Sequence, residues 1–571
     1  MQTTTYPTKL ILFALTFLFS TNICADDGVF VVTNTADSGT GSLREAMTLA
    51  NADPTVPHII NFFIGSGVQT ITPASALPTI TSPYTLIDGT TQPGWTQGNP
   101  QIIISGSALT PYTVDGLSFS GVNYCMVRGL VINGGFNNGI SILDGGVGSS
   151  YNAVTECFIG TDYTGTTAVP NNNGIAITGS TGFQNLFNKI GSANSNQYNL
   201  ISGNNNCGIA FTTNASQSLI QNNLIGTNKA GTSALPNAGG GVSIIGSLTP
   251  VSTEMCDTIL LQTNVISGNG VAGVFWGANA INCQLLYNNI GVDISGTVAV
   301  PNDVGMLCQG ALGLDGSGAV SGGYITNNLF SGNSSHGVVL ENNVIGNYIV
   351  TNSIGLDVTN TFTSLGNGGH GIVITGITNE PSTNNIIGGG EGQENVIAYN
   401  GAGLTGPFYG VLVTGDPTTP SNLNSITGNS IFNNNSSGIV LLNNGNDAQA
   451  APTVINALLN ANGSGVTVAI TAPATPVGAL FDIDVFINTS NRPSVSEGKI
   501  YLGTITKVPA GTNVVNLFPL STTLPASTWA SATATTLVSG QPADTSPFSA
   551  NYPVETIVNN IQPIMFESPL L

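Results

Sequence analysis

Residues 159–179 read IGTDYTGTTAVPNNNGIAITG, and the chain repeats this phrase three more times. It returns as IGTNKAGTSALPNAGGGVSIIG from Ile225, IGVDISGTVAVPNDVGMLCQG from Ile290 and IGLDVTNTFTSLGNGGHGIVITG from Ile354, at spacings of 66, 65 and 64 residues. A second phrase alternates with it: NLISGNNNCGIAF from Asn199, NVISGNGVAGVFW from Asn264, NLFSGNSSHGVVL from Asn328 and NVIAYNGAGLTGPFYGVLV from Asn395. Each supra-repeat holds three short apolar segments of the form N-x-I or G-I-x-I, so the expected unit is a coil of about 22 residues, in the range of strand–turn solenoids. Strands this short cannot bury an apolar face alone. Stacking coils at about 4.8 Å lets the Val, Ile and Leu of every layer share one core, and this predicts a β-solenoid.

Composition agrees. The 571 residues include 73 Gly but only 6% charged residues. Gly and Asn suit tight turns and oppose helix. The Asn beside each apolar pair (Asn199, Asn222, Asn264, Asn288, Asn328, Asn395, Asn429) is expected to form a structural amide ladder. Gly208, Gly273, Gly337, Gly410 and Gly438, each opening a G-[IV]-x segment or its equivalent, should mark positive φ or a close backbone approach.

Eight Lys and Arg stand against 28 Asp and Glu, a formal charge of −20. That balance excludes a basic groove for nucleic acid and disfavours anionic polysaccharides and lipid surfaces, leaving neutral or cationic partners. Residues 1–25 read as a signal peptide, with Lys9, the apolar run Leu10–Phe19 and a cleavage context at Ile23-Cys24-Ala25. No later run of about 20 apolar residues exists, so the mature chain should carry no transmembrane helix and be secreted or held at the cell surface after bacterial-type export. Beyond Cys24, six cysteines remain: Cys125, Cys157, Cys207, Cys256, Cys283 and Cys308. The last three are spaced by 27 and 25 residues, so they could meet on adjacent layers as disulfides or simply fill the core.

The segment Val32–Asn51, VTNTADSGTGSLREAMTLAN, resembles the N-terminal motif of CSLREA-type secreted and surface proteins, with Gly41 in place of the usual Cys. The following INFFIGSGVQTITPASALPTITSPYTLIDGTTQPGW and the N-x-I-S-G-N and I-G-T-D-x-T-G-T phrases are similar to the right-handed parallel β-helix proteins that carry it. The resemblance implies a pectate-lyase-like fold in a family that includes adhesins. The expected layout is a cap and first coils over 26–105, β-helix repeats over 106–450, a small antiparallel β-sandwich over 452–555 and a tail, 556–571. Ser42–Asn51 should be a short helix closing the first coil, with Arg44 and Glu45 as solvated or capping residues.

Chemistry is less legible. Parallel β-helices host polysaccharide lyases and hydrolases, but fold analogy alone does not assign an activity. Gly369-His370-Gly371 matches a tripeptide of polygalacturonase-like enzymes, yet the aspartate pair and the R-I-K element are missing, and His370 occupies the variable place before G-I-x-I, as does His336. Asp115, Asp144, Glu156 and Asp162 are the acids available to a glycosidase pair, which needs two carboxylates about 5–9.5 Å apart. Arg128 is the candidate lyase base, or else the partner of Asp144 or Glu156 in an ion pair; Lys189 and Lys229 are the other cations of the repeats. Asp162, Asp293 and Asp357 share one repeat phase, with Asn228 in the remaining copy, and oxygen-rich turns suit calcium. On a 22-residue coil they lie three layers, about 14 Å, apart and cannot share an ion. No other cofactor is expected. Trp95, Tyr112, Tyr124 and Tyr151, with Tyr163 and Tyr198, offer a sugar-stacking strip or cover for turns. Two functions follow: a non-catalytic, adhesin-like surface protein that contacts glycans or proteins, and a carbohydrate-active enzyme with acids from neighbouring coils.

Overall fold

The computed structural model describes residues 28–247, 254–311, 318–359, 365–489, 492, 494–525 and 527–556. The expected signal peptide and cleavage context, with Cys24, and all but the first residue of the 556–571 tail lie outside the described residues. Three long sheets of 13, 12 and 11 strands run the length of the first part, and every pairing within them is parallel. Sheet 1 runs from Val29–Val32 to Ser425–Thr427, sheet 2 from Gln69–Ile71 to Ser430–Phe432 and sheet 3 from Leu117–Ser120 to Ile439–Leu441. The chain is a parallel β-helix, as the repeats predict.

Inside it the register stacks like on like. Ile190, Ile220, Leu261, Leu285, Ile325 and Ile349 lie one above another in sheet 1, all fully buried. In sheet 3, Ile209, Val242, Val274, Met306 and Val338 stack likewise and step by 33, 32, 32 and 32 residues. The coil is therefore longer than the 22 residues expected, and each supra-repeat makes two turns rather than three: Ile225 pairs with Ile266, which pairs with Ile290. The cause is visible in LIQNNLIG, residues 219–226. Strands Leu219–Gln221 of sheet 1 and Leu224–Ile225 of sheet 2 are separated by two asparagines, so two strands read as one apolar segment.

The corner between sheets 1 and 2 holds the expected amide ladder. Nδ2 of Asn199, Asn223, Asn264, Asn288, Asn328, Asn352 and Asn395 each donates to the Oδ1 of the next, the last to Asn429, over 2.8–3.0 Å. Asn223, not Asn222, is the rung; Asn222 occupies the preceding left-handed turn position at φ 54. A second ladder from Asn171 through Asn204, Asn237, Asn269 and Asn302 to Asn434 fills the corner between sheets 2 and 3. The glycines of sheet 3 answer the open alternative: they stand where backbones approach closely. A Cβ at Gly208, Gly273 or Gly337 would come within 2.6–2.8 Å of the carbonyl oxygen of the glycine one coil on.

Both open ends are closed. A helix, Leu43–Ala52, lays Leu43 and Met47 onto the first coil's core; at its N-terminus the N-cap Ser42 Oγ accepts from Glu45 N–H, while Glu45 Oε2 reaches back one residue further and accepts from Gly41 N–H. Arg44 ties the helix to Asp37 and to the carbonyls of Ser75 and Ala76, a capping role. At Gly41, φ is +79 and a Cβ would stand 2.2 Å from Thr33 Oγ1, so only glycine fits this turn. At the other end, sheets of four and five strands, Thr453–Thr556, form a sandwich whose pairings are antiparallel except for the short contact of Leu458–Leu459 with Glu555–Thr556. It caps the last coil. Gly498 bridges Ile431, Ser496 accepts from Gly438 N–H, and Phe486 and Phe548 enter the helix core.

The six cysteines of the described chain are free thiols, which corrects the disulfide alternative. Cys125, Cys157, Cys256, Cys283 and Cys308 are core side chains, and burial pushes the Cys125, Cys157 and Cys256 thiols up to about 12.

Candidate functional site

The repeated Asp begins a hairpin that folds back over sheet 2. Asp162 Oδ1 accepts the N–H groups of Thr166 and Thr167 at 3.0 and 3.1 Å, and Oδ2 accepts Thr164 Oγ1 at 2.6 Å. Burial would raise this carboxyl, but those bonds prevail and hold it below its ordinary value; Asp293 is held the same way by Ser295, Thr297 and Val298. Asn228 makes the two backbone bonds with a neutral amide. The job is turn capping, and an amide does it too. These positions lie two coils apart rather than three, and the hairpins touch: Lys229, Ile294 and Val358 N–H donate to the carbonyls of Gly165, Gly231 and Gly296. Thr359 Oγ1 donates to both oxygens of Asp357. Among the described residues no group of three or more His, Cys, Asp or Glu is placed to hold a metal ion. Under the hairpins, the outward side chains of sheet 2 (Val131, Phe158, Leu200, Leu224 and Val265) form a second apolar layer.

The other candidate acids are distributed around the cross-section. Asp115, ahead of sheet 3, accepts Asn138 N–H and the amides of Asn137 and Asn138. Asp144, after sheet 3, accepts Gly146 N–H at 2.7 Å. Glu156 lies at the corner of sheets 1 and 2, at φ 58 and 6% exposed, with Oε1 accepting Gln97 Nε2 at 2.8 Å. Arg128 does not pair with Asp144. Its Nε and Nη2 grip Asp88 bidentately at 2.9 and 2.6 Å, the register-matched residue one coil earlier, while Glu156 adds only a longer-range attraction. Sequence reasoning missed Asp88; its LID strand, directly below MVR once strands are aligned, was the available clue.

His370 sits in the turn just ahead of its sheet 3 strand, in a stack with His336 and Tyr409, ring centroids 5.2 Å apart in each pair. His336 Nδ1 accepts His370 N–H at 3.0 Å and His370 Nδ1 accepts Tyr409 N–H at 2.9 Å. Both rings are therefore neutral with the proton on Nε2. Burial, followed by the neighbouring His336, pushes His370 down to about 4.

The N-terminal aromatics also form a stack. Tyr84, Tyr124, Tyr151 and Phe187 share one left-handed turn position on successive coils, with centroids 4.9–5.1 Å apart and planes within 16°. Their faces cover one another, so edges meet the solvent. Tyr112 is exposed and its hydroxyl oxygen accepts Asn205 Nδ2 at 2.5 Å; Trp95 is half-buried in the loop that brings Gln97 to Glu156.

The outward face of sheet 1 remains. From Leu219–Gln221 onward, strand centres point into the core, and flanking residues form two columns. One is Leu219, Leu260, Gln284, Tyr324, Tyr348 and Ile386; the other is Gln221, Gln262, Leu286, Thr326 and Val350. Neither column carries a formal charge.

No family model matches the chain, and no curated protein is similar to it. Among solved structures it is similar to a tailspike protein of Acinetobacter baumannii bacteriophage Fri1, a capsular polysaccharide depolymerase, at 9% identity and TM-score 0.30, covering 92% of this chain and 87% of that one. It is also similar to the catalytic domain of a GH87 alpha-1,3-glucanase, at 12% identity and TM-score 0.37 over 71% and 69% of the two chains. The pectate lyase Pel9A is similar at 13% identity and TM-score 0.27, over 71% and 80%. Likenesses of this size carry neither substrate nor mechanism to this chain.

Proposed function

We propose that this is an exported, non-catalytic surface protein, a rigid β-helix rod that contacts neutral glycans or cell-surface proteins through its sides. The observation that supports this reading is how the candidate catalytic groups are used. Each candidate acid accepts hydrogen bonds that hold a turn or loop, Arg128 is locked on Asp88, and both His370 ring stacking and Nδ1 bonding serve the sheet. General acid–base catalysis needs a group free to meet a substrate proton, and these groups already have partners. The charge of −20 favours an uncharged ligand over a polyanion.

A screen of the purified mature chain against neutral and acidic glycans tests this, reading both retention and released reducing ends. Retention of a neutral glycan without new reducing ends is expected. Product formation that disappears in Glu156→Gln or Asp115→Asn would overturn the non-catalytic reading and establish an enzyme.

A further inference from the structure

We infer that Gln221, Gln262, Gln284, Tyr324 and Tyr348, on five consecutive coils of sheet 1, form a binding strip for a single neutral polysaccharide chain laid along the rod axis. This rests on the glycan-contact reading above and names its site. The register stacks Gln221 on Gln262 in one column, and Gln284, Tyr324 and Tyr348 in the column beside it. At about 4.8 Å per coil the strip is about 19 Å long.

Amide use distinguishes this strip from the ladders at the corners. In the ladders and the N-terminal loops carboxamides are occupied: the Asn rungs bond each other, Gln92 bonds both backbone groups of Ile64, and Gln97 bonds Glu156. The side chains of Gln221, Gln262 and Gln284 and the hydroxyls of Tyr324 and Tyr348 make no hydrogen bond to the protein among the described residues, and all five residues are half-buried. Half-buried amides with no protein partner are hydrogen-bonding capacity left for a ligand.

The tyrosines differ from the N-terminal stack in the same sense. Tyr324 and Tyr348 have centroids 6.2 Å apart and planes tilted by 45°, so they do not consume each other's faces. The turn position filled by Tyr84, Tyr124 and Tyr151 in early coils is Gly322 and Gly346 here, both at positive φ, and a Cβ on Gly346 would meet no atom within 4 Å. At Gly322 the Asn282 side chain stands 2.5 Å from such a Cβ, so the open approach is the one beside Tyr348. An uncharged row of amides beside tilted aromatic rings matches a ligand rich in hydroxyls and C–H faces and lacking charge.

The test measures affinity of the full mature chain for a panel of β-1,3-glucan, β-1,4-glucan, mannan and xylan, with polygalacturonate as the charged comparator. The double variant Tyr324→Ala/Tyr348→Ala should lose at least tenfold in affinity for whichever neutral glycan the wild type retains. Gln262→Ala/Gln284→Ala, half-buried changes that break no protein bond, should lose three- to tenfold, and Tyr84→Ala should bind like wild type. Circular dichroism and Tm accompany each variant; if the tyrosine pair unfolds, the glutamine pair decides. Wild-type glycan binding undiminished in the glutamine variant and in a folded tyrosine variant would overturn the strip while leaving the glycan reading intact. A wild type that retains no neutral glycan, or retains only polygalacturonate, would overturn both.

Discussion

Asn264 shows how much one side chain holds in this fold. Its Nδ2 donates to Ile220 O and Asn288 Oδ1, and its Oδ1 accepts the backbone and side-chain N–H of Asn223, all within 3.0 Å and 1% exposed. Asn264→Ala removes all four bonds and leaves the buried Asn223 N–H without its acceptor, although Asn288 Oδ1 keeps the residue-264 backbone N–H and Asn223 Nδ2 keeps Ile190 O; the change should cost about 2–4 kcal/mol by denaturant titration. Asn222→Gly, at a half-buried left-handed position, should cost under about 1 kcal/mol, since glycine adopts that φ freely. Asn222 and its neighbour Asn223 show where legibility ended: the two asparagines look alike in sequence, and a one-residue shift separates rung from turn. His370 yields a prediction with a defined sign. Its folded pKa, about 4, lies below the ordinary value of 6.5, so the unfolded chain binds the extra proton between those limits. Its contribution is present above pH ~6.5 and is lost as pH falls toward ~4, about 1–2 kcal/mol allowing for the ring's partial exposure. His370→Gln should remove that part of the pH dependence in thermal melts, and a wild-type ring titrating near 6.5 by NMR would refute the neutral stack.

Among the elements, the β-helix itself was legible because repeated apolar triplets and Gly/Asn turns demand stacking. Coil length was not, because a two-residue corner hides the boundary between sheets 1 and 2. The glycine rows were legible as positions, and the structure supplies their reason. Gly208→Ala would place a methyl 2.7 Å from Gly241 O in the next strand, backbone that cannot swing aside. We expect a loss of about 1–3 kcal/mol from this overpacking alone, whereas Gly208→Ala melting like wild type would mean that adjacent coils can spread. The candidate site was the least readable part. Acid and aromatic side chains were visible, but whether a partner already occupies them depends on which coil lies next, and Arg128 with Asp88, 40 residues apart, depends on that register. The free amides of Gln262 and Gln284 carry no sequence mark at all, since they differ from a ladder amide only in making no hydrogen bond to the residue stacked on them.

At the scale of the molecule, a rod of parallel coils is stable only if its two ends are covered, and the C-terminal cover carries buried charge. Asp484, 2% exposed, accepts Gly428 N–H and Thr504 Oγ1; Asp544 accepts Leu423 N–H; Glu497, 1% exposed, pairs with Arg492, whose guanidinium also reaches the carbonyls of Asn434 and Asn435. Sandwich acids thus satisfy the edge N–H groups of the last sheet 1 strand region, groups that would otherwise invite another strand. Burial raises these carboxyls to about 6 for Asp484 and Asp544 and about 7 for Glu497. Their folded values lie above the unfolded ones, so the folded chain binds the extra protons: stability is fully present below pH ~4 and is lost as pH rises through ~6 to ~7. This runs opposite to His370, so the bulk pH profile mixes the two and a single-site variant is needed. In Asp484→Asn the joint should lose its dependence on that proton, and the stability gap between variant and wild type should shift in the variant's favour by about 2 kcal/mol between pH ~4.5 and ~8. Denaturant titrations at both ends of that range measure the gap. A gap that stays constant with pH would show that Asp484 titrates at its ordinary value, and therefore that water reaches the joint and the sandwich does not seal the last coil.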